Sequence, residues 1–241
     1  MRPRSILLKH PVAVWVALGV WSFGMLALAE AFFPRQYDWQ HIVISSLASP
    51  RDNPHAYGIA CAGLAGTGLL LVPFASFLRQ RLGPFAPRLT AWAGKLFVLG
   101  AISLALSAIV VPGHYRLLGI GRTHEHLAQI SSVAFCLSLL LYFAAVLHLP
   151  PTFAWLRFAV GLVAVLPITA FVANRATVFC TYALSSPDQY RVMKNSYWSN
   201  LALWEWLAFL SIYLFLGLVT LSIKPALQPS AGARQGPEDG L

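Results

Sequence analysis

Six stretches of this chain are each apolar for about the length an α-helix needs to cross roughly 30 Å of hydrocarbon. They fall at 12–33, 55–78, 92–112, 124–147, 155–174 and 197–222 and leave no room for a soluble domain. In a bilayer core every backbone N–H and C=O must be satisfied within the protein, so such segments fold as helices packed on helices. The sequence therefore predicts an all-α, polytopic membrane protein: a single six-helix transmembrane domain over 1–224, followed by a disordered cytoplasmic tail at 225–241 rich in Pro, Gly, Ala and polar residues. The composition agrees: 58% hydrophobic, 10% charged and a mean hydropathy of +0.66 lie far outside the range of soluble domains.

A net charge of +9 would suggest nucleic acid as the partner of a soluble protein. Here the Lys and Arg residues lie at helix ends and in short loops, where they anchor and orient spans, so membrane lipids are the expected partners and nucleic acid is not. Ten basic residues fall on the side of the N-terminus and the 79–95 loop, against seven on the other side. That bias predicts a multi-pass inner-membrane protein with both termini cytoplasmic. The start, MRPRSILLKHP followed by an apolar run and Ala27-Leu28-Ala29, mimics a signal peptide, but the run exceeds a usual signal core and is expected to be retained as the first helix. Cys61 and Cys136 fall inside spans and Cys180 in a loop without paired spacing, so neither a disulfide framework nor a thiolate metal site is indicated.

Local signals mark the boundaries. Asn53-Pro54 suits an N-cap with Pro at the first helical position, Thr123 suits a cap for helix four with Glu125 in its first turn, and Pro150-Pro151 closes a span. Gly58, Ala62 and Gly66, with Gly63 and Gly68 beside them, form the small-residue stripe along which helices approach closely in lipid.

Glu205 lies within the sixth apolar segment. A carboxylate there costs about 3 kcal/mol or more unless it is neutralised, paired or facing a wet cavity. Two readings stand: a structural ion pair with Arg175 at the end of helix five, or a functional group in a pocket. Six of the eight acids and five of the seven histidines fall on the non-cytoplasmic side, which is where a site is expected. The segment YDWQHIVISSLASPRDNPH at 37–55 is too polar to span and too apolar for a free loop. At helical spacing Asp38, His41 and Ser45 share one face and Trp39, Ile42 and Val43 another, as in a short interfacial helix over 37–48. Its polar face either only anchors the segment or closes a pocket floored by Glu205. Helix four opens GRTHEHLAQISS. His124 and His126 point about 200° apart and cannot chelate jointly, but His124, Glu125, Gln129, Ser131 and Ser132 gather on one broad face, either an interhelical polar seam or a site wall. The pocket is expected from helices one, four and six plus 37–49. Its candidate catalytic residues are Asp38, His41, Ser45, His124, Glu125 and Glu205; its candidate ligand-binding residues are Glu30, Gln129, Arg175 and Glu205. No Gly-x-Ser-x, His-Glu-x-x-His, Pro-Ser-Gly-His or Gly-x-Gly-Asp motif is present to mark a common intramembrane enzyme.

HIVISSLASPRDNPHAYG, through Ser45, Ser46, Leu47, Asn53 and Pro54, and GRTHEHLAQISSVAF, through Gly121 and His124, resemble the prokaryotic six-helix membrane family catalogued as domain of unknown function nine hundred and ninety-eight. That resemblance covers most of 10–220 and implies no known activity. A more distant likeness is to the alkaline ceramidase and adiponectin-receptor superfamily, which hydrolyses lipid amides with a Ser, an Asp and three His around zinc. Ser45, Asp38, His41 and His124 are the matching residue types, with His41 and His124 as the metal candidates, but the His-x-x-x-His pair and the seventh helix are missing. Function is expected to be lipid or amphiphile binding or transport without a cofactor, the alternative being a periplasm-facing lipid hydrolase with or without zinc.

Overall fold

The computed structural model describes residues 10–110, 123–184 and 201–223, the side chains of 167, 170, 171, 173–184 and 201 excepted. The expected 225–241 tail, the loop positions His114 and Asp188, and the side chain of Arg175 lie outside the described residues.

Every described element is helical. Pro11 opens α1 (Pro11–Ala31) and Pro87 opens α4 (Pro87–Ile109), since proline's missing N–H and fixed φ suit the first helical position. Between them lie the single turn α2 (Ile44–Leu47) and α3 (Tyr57–Leu82), whose last turn carries Arg79 and Arg81 against the negative end of the helix dipole. Then come α5 (Thr123–Val146), with Glu125 in its first turn, a 3₁₀ turn (Pro151–Phe153), α6 (Ala154–Leu184) and α7 (Leu201–Ser222). Five of these helices, α1, α3, α4, α5 and α7, are long and apolar enough to cross a membrane; the 3₁₀ turn and α6 contribute a shorter apolar stretch, Pro151–Leu166. The helix α6 continues through Pro167 and ends ten residues beyond the expected 174.

The sequence places the start of the second span at 55 with Asn53 as its cap, and the structure corrects both points. Ala56 precedes the helix without a side-chain cap, while the Asn53 side chain turns inward, fully buried. Outward-facing bulk such as Phe158, 73% exposed, and Val20, 70%, would be costly in water and suits acyl chains.

Helix α4 packs between α3 and α5, α1 lies on α3 and touches α7, and α7 pairs with α6. Close approach depends on small residues. A Cβ on Gly68 would stand 2.5 Å from Ala101 O in α4, and one on Gly63 would stand 2.6 Å from Met25 Cβ in α1. Gly58, by contrast, faces open space and takes no part in the stripe. The larger core is aromatic: Phe97 meets Phe135 edge-on at 5.3 Å, and Tyr142 stacks on Phe215 at 5.6 Å. A smaller cluster of Leu26, Ala29, Tyr37, Ile44, Leu47 and Leu64 lies at the α2 end and fastens the 37–48 segment to α1 and α3 through Tyr37, Ile44 and Leu47.

Candidate functional site

The carboxylate of Glu205 reaches from the first turns of α7 to the start of α2. Its Oε2 accepts a hydrogen bond from Ile44 N at 2.8 Å, and the Ser45 amide is a second donor to the same group. Val43 enters α2 in an extended conformation (φ −65°, ψ 151°) and supplies no side-chain cap, so the opening amides of this turn need an acceptor from elsewhere. Glu205 provides it, at the end of the turn where the helix dipole favours an acceptor. The rest of the segment is fastened too. Asn53 Nδ2 donates to Ala29 O and Leu47 O, each at 3.1 Å, and Tyr37 OH donates to Ile42 O at 2.9 Å. Burial raises the Tyr37 phenol well above its ordinary value and keeps it a donor.

Beneath α2 is a partly enclosed cavity of about 140 Å³ between α3, α4, α5 and α7. Ile44 and Ser45 line it at α2, Glu205 and His124 line it at the helix starts, and Leu104, Phe135 and Phe209 give it an apolar interior. The Nδ1 of His124 lies 2.7 Å from Ser107 O and 3.1 Å from Val110 O, carbonyls at the C-terminal end of α4. A carbonyl only accepts, so Nδ1 carries the proton and Nε2 is the ring's remaining site. Nearby serines are committed to backbone: Ser107 donates to Leu104 O at 2.8 Å, Ser131 to Gly100 O at 2.9 Å and Ser132 to Ala128 O at 2.9 Å. Ser131 and His124 thereby join α5 to α4, while Ser132 bonds only within its own helix.

Ser45, His124 and Glu205 are thus brought together around one cavity, and the other described sequence candidates are not. Residues 38–41 form a turn, Asp38 O accepting from His41 N at 3.0 Å and Ile42 N at 2.7 Å, and the helix begins only at Ile44. The shared helical face of Asp38, His41 and Ser45 therefore does not form. Asp38 Oδ2 instead meets His41 Nδ1 at 2.7 Å with both side chains about half exposed and outside the cavity lining. That bond to His41, helped by the Gln40 amide, holds the Asp38 carboxyl below the usual carboxylate range. Glu125 is exposed. Gln129 lies with His126 along a separate outer groove, and Glu30 is on the rim beside Arg35. Helix α1 lines none of the cavity, its place being taken by α3 and α4. Among the described residues no three His, Cys, Asp or Glu side chains gather as metal ligands, and His41 lies outside the cavity that His124 lines.

The backbone amides that hold Glu205 carry no sequence signal, because any residue could supply them. Asn53 had one, but Asn-Pro before an apolar run suits a cap equally well. Ser107 and Phe209 look like ordinary span residues until the helices are packed. No protein-family model, curated protein or solved structure matches the chain.

Proposed function

We propose that this is a six-span inner-membrane protein, both termini cytoplasmic, that binds or transports a lipid or other amphiphile in the cavity beneath α2, at the outer leaflet. The observation that carries the reading is the cavity itself, apolar for most of its wall and bordered by the polar side chains of Ser45, His124 and Glu205. An apolar pocket with a few convergent polar groups is the general form of a small-molecule site. In this reading α6 completes the sixth span, and the resemblance of 41–58 and 121–135 to the six-helix family is part of the proposal. Tags on either terminus should be cytoplasmic; a periplasmic N-terminal tag would move the site to the other leaflet.

The binding reading is tested by purifying the protein and an Ala208→Leu variant, whose larger side chain fills the cavity, from the same membranes and comparing bound amphiphiles by mass spectrometry. One species enriched in the parent and depleted in the variant is expected. Identical lipid profiles in two folded proteins would refute a bound ligand.

Lipid hydrolysis is the second reading, favoured by one observation: Ser45 and His124 line the same cavity and the ring is held by Nδ1 with Nε2 left over. Release of fatty acid from ester or amide lipids by the parent, abolished in His124→Gln and Ser45→Ala, would support it over simple binding.

A further inference from the structure

The hydrogen-bonding inventory of this cavity is one-sided, and it selects a kind of ligand. Glu205 contributes a carboxylate, an acceptor with about four lone-pair positions, of which the Ile44 and Ser45 amides occupy two. His124 has given its Nδ1–H to the carbonyls of α4, which in the neutral tautomer leaves a lone pair at Nε2. The hydroxyls of Ser107, Ser131 and Ser132 have likewise donated to backbone carbonyls, so only their oxygen lone pairs are left for a guest. Among the described residues no Lys or Arg lines the cavity, and only the Ser45 hydroxyl and the weak Cys136 thiol are side-chain donors there not committed to a carbonyl. The positive end of α5 would favour an anion, but Glu125 already sits in that first turn.

From this, and resting on the amphiphile reading above, we infer that the ligand's polar head is a hydrogen-bond donor, an alcohol or an ammonium group, and not a phosphate or carboxylate. An anionic head would face Glu205 with no Lys or Arg of the described residues to meet it, whereas an O–H or N–H head finds acceptors on α5 and α7. The size of the buried apolar part follows from the volume: an apolar cavity of about 150 Å³ takes up benzene, so the 140 Å³ here suits a group of about six carbons.

The test uses the full chain in detergent at pH 8, where imidazole side chains are ordinarily neutral. Its probes are benzyl alcohol, benzylammonium and benzoate, which share one ring and differ in the head. Each probe's shift in melting temperature is read against the cavity-filled Ala208→Leu protein, or Ala128→Leu should the first fail to fold, so that effects on the micelle cancel. Benzyl alcohol and benzylammonium should raise the melting temperature of the parent and not of the filled protein, with benzoate giving no such difference. Glu205→Gln should reduce the benzylammonium shift more than the benzyl alcohol shift. A benzoate shift as large as the other two would overturn the donor-head inference while leaving a binding cavity. No difference for any probe would remove the cavity reading and this inference together.

Discussion

Replacing Glu205 separates a carboxylate that acts by accepting hydrogen bonds from one that acts by its charge. In Glu205→Ala the amides of Ile44 and Ser45 lose their acceptor at the start of a turn that has no cap of its own. Hydrogen bonds to a charged group contribute about 1.5–3 kcal/mol each. Water entering the enlarged cavity would recover part of that, so a loss of about 2–4 kcal/mol is expected. Glu205→Gln keeps a carbonyl oxygen for the Ile44 amide and forfeits mainly the charge–dipole interaction, about 0.3–1 kcal/mol, partly offset by relief from holding a charge in the bundle. The assay is hydrogen exchange at residues 44–47 alongside denaturant or thermal unfolding. With 1.36 kcal/mol per tenfold, exchange there should quicken roughly 30- to 900-fold in the alanine variant and less than about tenfold in the glutamine variant. Equal effects of the two substitutions would refute the capping account. Strong destabilisation by Gln, rescued by also neutralising Arg175, would show that an ion pair holds the site instead.

Three further outcomes follow from the packing. Asn53→Ala removes two buried hydrogen bonds between the end of α2 and the end of α1, so it should cost about 2–4 kcal/mol in equilibrium unfolding and loosen the same 44–47 amides. Gly68→Ala places a Cβ against α4 backbone and should destabilise by about 1–3 kcal/mol, whereas Gly58→Ala, which meets nothing within 4 Å, should be neutral or slightly stabilising in the same assay. In an NMR titration Asp38 should ionise below the ordinary carboxylate value and move back up in His41→Ala. Because its folded value is depressed, its small contribution to stability is present above the unfolded carboxylate value and fades only as pH falls through the folded one.

The bundle was legible because hydrophobic length alone sets where helices start and stop: each of the five long apolar helices begins or ends within about five residues of its expected limit. The site was legible in part. Glu205 announces itself by the cost of a charge in an apolar run, and His124 by a polar helix start, and both line the cavity. Asp38 and His41 misled because helical spacing was extended across residues 38–43, where a turn and an extended residue interrupt it. Glu30 and Gln129 have the right chemistry but face outward, and which side of a helix meets the bundle is decided by its neighbours. For α1 that neighbour is α3, approached through Gly63.

The helix α7 is tied to other elements at its two ends. Near its start Glu205 holds the Ile44 amide at 2.8 Å, and just past its end the buried guanidinium of Arg81, from α3, donates to Ile223 O at 2.6 Å. Helices in lipid slide along one another at little cost where only apolar surface is in register. A slip of a full turn, about 5.4 Å along the axis, would here carry both contacts beyond hydrogen-bonding range and leave polar groups unmatched at two depths. Axial shear of α7 is thereby opposed at both of its ends. Lateral parting of α5 or lifting of the 37–48 segment would leave the vertical register of α7 unchanged.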